Sequence, residues 1–138
     1  MRIRLSGTAL WFVLATLAVA QTKVKTVPPQ DTSAVSGKEM FVQYCASCHG
    51  TSGKGDGPAA PALKIKPADL TALAAHNNGK FPSERVSLYI EGADQVEAHG
   101  SREMPVWGKV FKSMSENEHV AKLRVANLTA YVNTLQAK

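Results

Sequence analysis

Only two cysteines occur in 138 residues, so no disulfide framework can staple this chain. Long apolar runs are also scarce: a membrane-spanning helix needs about 20 apolar residues, and the longest run, Ala9 to Ala20, is shorter and interrupted by Thr16. No stretch alternates apolar and polar residues as a half-buried strand does. There is no internal repeat and no low-complexity tract. Glycines crowd residues 50–57, yet the Gly-Lys-Ser/Thr ending of a phosphate loop is absent. The 16 basic residues exceed the 11 acidic ones only modestly, without the dense basic stripe of a nucleic-acid binder.

The N-terminus is organised as an export signal. Arg2 and Arg4 precede the apolar run, and Ala18-Val19-Ala20 supplies a small-x-small cleavage pattern that makes Gln21 the first mature residue. The competing reading is a retained anchor, which the shortness of the run disfavours. Cleavage removes two bases and no acids. The mature chain then holds 14 bases against 11 acids, a net charge of +3. Such a charge suits a soluble protein that meets partners through weak electrostatics, with no stable membrane insertion expected.

One segment has a specific chemical meaning: Cys45-Ala46-Ser47-Cys48-His49, the c-type haem attachment pattern. On a helix, Cys45 and Cys48 emerge from one face, where two sulfurs can each bond one vinyl group of a porphyrin. His49 follows within reach of the iron as a proximal ligand. A redox dithiol would want a βαβ context that the sequence lacks. A closed zinc site wants four ligands, whereas His76, His99 and His119 are scattered singly and no third cysteine exists. Export supports haem attachment, since both place the chain in the periplasm or its equivalent.

Residues 21–35 are rich in Thr, Pro, Gln and Ser, and Pro28-Pro29 forbids a helix there, so they read as a flexible leader. Residues 36–138 form one domain of common size, and its signals are helical. Ser36 and Glu39 have capping-box spacing, with Val35 and Met40 placed as a hydrophobic staple. Gly37, Met40, Phe41, Tyr44 and Cys48 mark one face to bury. Ser83 is predicted to cap a helix carrying Val86, Tyr89 and Ile90 that Gly92 ends. Asp69 is predicted to cap a short helix through Leu73. A final helix is predicted from Ser115, three residues before Glu118, with Val120, Leu123, Leu128, Tyr131 and Leu135 as its stripe.

These residues together resemble a class I c-type cytochrome over about Ser36 to Leu135. Gly37, Phe41 and the Cys45–Gly50 run match its N-terminal helix, and Leu128 and Tyr131 match the C-terminal helix that crosses it. Met104-Pro105-Val106-Trp107-Gly108 resembles the loop that supplies a distal methionine. Gly50 to Pro58, continuing to Pro61 and Leu63, resembles the loop around the haem edge, where a proline carbonyl accepts a hydrogen bond from the proximal imidazole. Both Pro58 and Pro61 fit that pattern, and the choice between them stays open.

The resemblance implies an all-α, cytochrome c-like fold of three to five helices around one covalently attached haem c. Cys45 and Cys48 are its attachment points, His49 and Met104 its axial ligands, and Pro58, Pro61, Leu63 and Trp107 its pocket. Met104 is preferred over Met40, which lies on the helix leading into the motif, and over Met114, just before the final helix. His99 is the rival from another residue class. With both axial positions filled the iron has no open site, so a one-electron carrier is expected rather than an enzyme. Lys54, Lys64, Lys66, Lys109 and Lys112 flank loops near the haem edge and suggest a weak basic ring facing an acidic redox partner. Two alternatives are an electron-relay subunit of a larger dehydrogenase or oxidase, and a sensor or peroxidase in which Met104 dissociates.

Overall fold

The computed structural model describes residues 29–93, 104–115 and 117–137, and among these the regular structure is helical with no strand. The expected signal segment, the leader up to Pro28 and His99 lie outside the described residues. Helix α1 consists of three contiguous pieces: α-helical Gly37–Met40, a π-helical turn Phe41–Cys45, and α-helical Ala46–His49. Three further helices follow, α2 at Ser83–Glu91, α3 at Trp107–Ser115 and α4 at Glu118–Thr134. Helix α4 packs against each of the other three.

Ser36 starts α1 as expected: its hydroxyl accepts from the Glu39 backbone N–H at 3.2 Å. The rest of the predicted start does not form. The Ser36 N–H donates to Ser33 O, and Val35 is 72% exposed while Met40 is fully buried, so no staple joins them.

The π turn changes which residues face the core. The Ala46 N–H donates to Phe41 O, five residues back rather than four. The buried stripe therefore runs Met40, Phe41, Tyr44, Ala46, and Cys48, predicted within it, is only half-buried. One extra residue in the turn leaves Cys45 and Cys48 beside the core instead of inside it.

Where α1 crosses α4, the backbones meet at Gly37. A Cβ there would collide with Asn127 O and lie 2.8 Å from Tyr131 Cβ, so only glycine fits. The Phe41 and Tyr131 rings fill the adjoining space with centroids 5.3 Å apart, and Leu128 is buried beneath them. This is the crossing that the sequence implied.

Four other expectations are corrected. Pro82, not Ser83, holds the cap position of α2, although Gly92 ends it as predicted, in a left-handed conformation with its N–H bonded to Leu88 O and Tyr89 O. Trp107 and Gly108, read as the end of the loop that begins at Met104, instead open α3, which runs from Trp107 to Ser115; Gly108 lets it sit against the end of α2, where a Cβ would lie 2.7 Å from Glu91 O. Asn117 caps α4 by accepting from the His119 N–H at 2.9 Å, while the Ser115 hydroxyl donates back to Phe111 O. No helix runs from Asp69 to Leu73. That stretch is turns, followed by a 3₁₀ turn at Ala75–Asn77.

The leader's last residues are tied to the domain. Arg124, only 4% exposed, donates to Asp31 Oδ1 at 2.8 Å and to Thr32 Oγ1 at 3.0 Å. The Tyr44 hydroxyl donates to Gln30 O at 2.6 Å, and Asn127 Nδ2 donates to Ala34 O at 2.9 Å. Residues 30–34 are thus part of the packed unit, contrary to the flexible reading.

Gly37→Ala should destabilise the folded protein by about 1–3 kcal/mol, the usual cost of overpacking, because the clash is with fixed backbone. Lys38→Ala, on the exposed side, should stay within about 0.5 kcal/mol of the wild type. Equal urea midpoints for the two variants would show that the helices do not cross at Gly37.

Candidate functional site

A helix leaves its last four carbonyls without intrahelical partners, and α1 ends at the residues that matter most. All four are satisfied by the chain that follows. Ala46 O accepts from Gly50 N at 2.9 Å, Ser47 O from Ala59 N at 2.8 Å, Cys48 O from Gly57 N at 3.1 Å and His49 O from Gly55 N at 2.8 Å. Gly50 and Gly55 adopt positive φ, both 75°. Gly57 passes so close to the helix end that a Cβ would lie 2.6 Å from Ala46 O. The glycine-rich stretch is therefore the C-terminal cap of α1, and it fixes the attachment motif.

The loop then carries Pro67 and Ala68 past His49. Gly55 touches this segment, since a Cβ on it would collide with Pro67 O and lie 3.3 Å from Ala68 O. His49 Nδ1 is 3.0 Å from Ala68 O. A carbonyl only accepts, so Nδ1 carries the proton and donates, leaving the Nε2 lone pair for a metal. Neither Pro58 nor Pro61 is the acceptor. Pro58 is exposed beside Gly57, and Pro61 is exposed within the 3₁₀ turn Ala60–Ala62, whereas Ala68 directly follows Pro67.

Burial pushes the Cys45 thiol up to about 12, with the neighbouring Cys48 adding to the effect. A thiol held neutral is unlike the acidic nucleophile of a redox dithiol. Among the described residues, no group of three or more His, Cys, Asp or Glu is placed to hold a metal ion. The neutral thiol speaks against the dithiol alternative. His49 has its pKa lowered by burial, partly offset by the Ala68 hydrogen bond, so its neutral, ligating form is favoured. Two free thiols on one helix face, followed by an imidazole with a free Nε2, fit a covalently held haem.

The structure brings some predicted site residues together and not others. Trp107 packs with Tyr44 and Phe111 at centroid distances of 5.2 and 5.7 Å, one turn of α1 from Cys48. Leu63 is half-buried outside the core cluster. Met104 lies just before α3 and is 38% exposed. Met40 is fully buried in the core cluster, and Met114 packs against that cluster.

Ala68, Asp69 and Thr71 were missed by sequence reasoning. Asp69 Oδ1 accepts from Thr71 N at 2.8 Å and from Thr71 Oγ1 at 2.6 Å, an Asx turn directly after the acceptor carbonyl. The Asp-x-Thr pattern following Pro67 was the available signal.

Helices joined through a tight crossing, with a thiol pair and an imidazole at the end of one of them, define a c-type cytochrome domain. Residues 32–122 match the family model described as cytochrome c oxidase, cbb3-type, subunit III, and the chain belongs to that family. Its cofactor is covalently attached haem c, and its chemistry is haem-based electron transfer with redox partners. No curated protein and no solved structure matches the chain.

Asp69 sets a pH dependence. The Thr71 hydroxyl first and the Thr71 backbone N–H second hold its carboxyl below the usual carboxylate value of 3.8. A lowered folded pKa stabilises fully above the unfolded pKa and is lost as pH falls through the folded one. The stability difference between wild type and Asp69→Asn should be constant above about pH 5 and shrink below about pH 4. Urea midpoints measured across that range check this; a flat difference down to pH 2.5 would exclude the carboxylate.

Proposed function

We propose that this protein is a periplasmic one-electron carrier in which Cys45 and Cys48 hold the haem and His49 and Met104 are its axial ligands. The observation that carries the reading is the His49 imidazole, fixed by the Ala68 carbonyl so that Nε2 is presented from the same helix end as both thiols. When bound, the haem supplies reversible Fe(II)/Fe(III) cycling. The chain's own residues attach it, orient its ligand and exclude water.

Cys45 and Cys48 form the two thioether links, which need sulfurs three residues apart on a helix. The Ala68 hydrogen bond increases the donor strength of His49. Met104 would hold the iron through a soft, neutral thioether, and a His/Met pair would raise the potential. Leu63 and Trp107 serve as pocket walls. With both axial positions occupied by side chains, no open site remains for substrate, so the protein is not an enzyme. The segment up to Ala20 acts as a cleaved export signal. Among the described residues no helix is long and apolar enough to cross a membrane.

The family description, a subunit of an oxidase, favours a second reading: this domain relays electrons inside a larger complex. Co-purification with a catalytic partner distinguishes the two. In either case exposed Lys54, Lys64, Lys66, Lys109 and Lys112 would steer an acidic partner, and transfer rates should fall as ionic strength rises. Rates indifferent to salt would make these lysines ordinary solvated side chains.

Expression in a host with haem-attachment machinery should give a red protein that keeps its haem on a denaturing gel. Cys45→Ser and Cys48→Ser together should abolish this; colourless wild-type protein would reject the proposal. Met104→Ala should lower the midpoint potential by on the order of 0.1 V, within the ~0.8 V range that axial ligands span, or open the iron to carbon monoxide. An unchanged potential without carbon monoxide binding would reject Met104 as the ligand.

A further inference from the structure

We infer that Asp69 is a positioning residue for the iron ligand: its Asx turn with Thr71 locks the Ala68 carbonyl onto His49 Nδ1. The inference rests on the proposed ligation by His49 and deepens it, because it assigns the part of the chain that aims the imidazole.

The geometry is a short relay. His49 Nδ1 donates to Ala68 O at 3.0 Å. That oxygen belongs to the peptide joining Ala68 to Asp69, so its direction follows the backbone on both sides. On the N-terminal side, Pro67 has a fixed φ and lies against Gly55. On the C-terminal side, Asp69 Oδ1 takes two bonds from Thr71, to the backbone N–H at 2.8 Å and to the hydroxyl at 2.6 Å. Between them the Leu70 N–H donates to Gly53 O at 2.7 Å, tying the turn to the loop that caps α1. An alanine at 69 would free the turn while leaving Pro67 and the Leu70 bond in place.

The same segment is also held from its far side. Gln136, just beyond α4, donates from Nε2 to Leu70 O at 2.7 Å and accepts from Ala74 N at 2.9 Å. These bonds stabilise the segment without touching the Ala68–Asp69 peptide, so Gln136 separates general loosening from loss of aim. Lys54 and His76 also act electrostatically on Asp69 and favour its carboxylate. A purely electrostatic role for its carboxylate is therefore the competing explanation, and Asp69→Asn decides between them: the amide Oδ1 still accepts, but the charge is gone.

The test uses haem-loaded protein in three variants, Asp69→Ala, Asp69→Asn and Gln136→Ala. Two readouts apply: solvent exchange of the His49 Nδ1 proton in the reduced state by NMR, and the midpoint potential. Asp69→Ala should speed exchange about tenfold, roughly the factor that the net worth of one hydrogen bond implies. It should also shift the potential positive, because a less firmly bonded imidazole donates less to ferric iron. Asp69→Asn should retain wild-type exchange and potential, and Gln136→Ala should lower stability while leaving both near wild type. The inference is overturned if Asp69→Ala changes neither readout, if Asp69→Asn shifts both as much as Asp69→Ala, or if Gln136→Ala does so. Should Asp69→Ala fail to fold, Thr71→Val, which removes the hydroxyl donor to Asp69 Oδ1, takes its place with the same expected shifts and the same overturning outcomes. Wild-type protein lacking covalent haem overturns the ligation itself and the inference with it.

Discussion

The end of α1 must satisfy four backbone carbonyls while leaving two cysteines and a histidine free for chemistry, and this double demand organises the site. Side chains cannot do the capping, because the residues at hand are those the haem requires. Backbone N–H groups do it instead, from Gly50, Gly55, Gly57 and Ala59. Backbone can approach that closely only where no Cβ stands in the way, and the glycines at 50, 55 and 57 meet that condition. Once the loop is pinned in this way, its exit path is set. It leaves past Gly55, and Pro67 and Ala68 are delivered beside His49. Orientation of the imidazole is thus a consequence of how a helix is capped.

Helix α4 links this site to the rest of the molecule. Near its middle it receives Gly37 and Phe41 of α1 in a contact that admits no extra carbon. Arg124 on the same helix holds Asp31 and Thr32, with its guanidinium 5.9 Å from the Phe111 ring centroid. Just beyond its end, Gln136 bonds to Leu70 and Ala74, and the Ala137 N–H donates to Thr71 O at 2.9 Å. One helix therefore fixes the attachment helix, the incoming chain and the segment that carries the ligand-orienting carbonyl. A shift of α4 would move all three together, which ties the orientation of the His49 imidazole to the packing of the domain.

What was legible in the sequence was what side-chain chemistry writes into local spacing. Cys45, Cys48 and His49 are readable because covalent attachment demands that order, and Gly37 with Phe41, Leu128 and Tyr131 because a close crossing demands a small residue and large neighbours. Backbone roles were not legible. Any residue offers a carbonyl, so nothing about Ala68 announces an acceptor, and attention went to Pro58 and Pro61, whose rings are conspicuous. The π turn at Phe41–Cys45 was equally hidden, since helical periodicity assumes the spacing that the turn breaks. Helix α3 was lost to the breaker signals of Pro105 and Gly108. Pro105 in fact lies before the helix, and Gly108 is used for contact with α2. Ser115 was read as the cap of the last helix from its spacing to Glu118, but Asn117 holds that position.

Electrostatics completes the division of labour within the site. Burial favours the neutral forms of the Cys45 thiol and the His49 imidazole, so neither group puts a charge on the helix end. Under the proposed ligation, a low dielectric around an uncharged ligand set would disfavour the more positive ferric state. The lysines nearest the motif in sequence, Lys54, Lys64 and Lys66, are exposed, and water and salt screen charges there strongly. Their field is therefore weak at the buried helix end but available to a partner at contact distance. Under the proposed reading, tuning would fall to neutral groups and one backbone carbonyl, and docking to charge at the surface. Either function can change by surface substitution or by core substitution without forcing a change in the other.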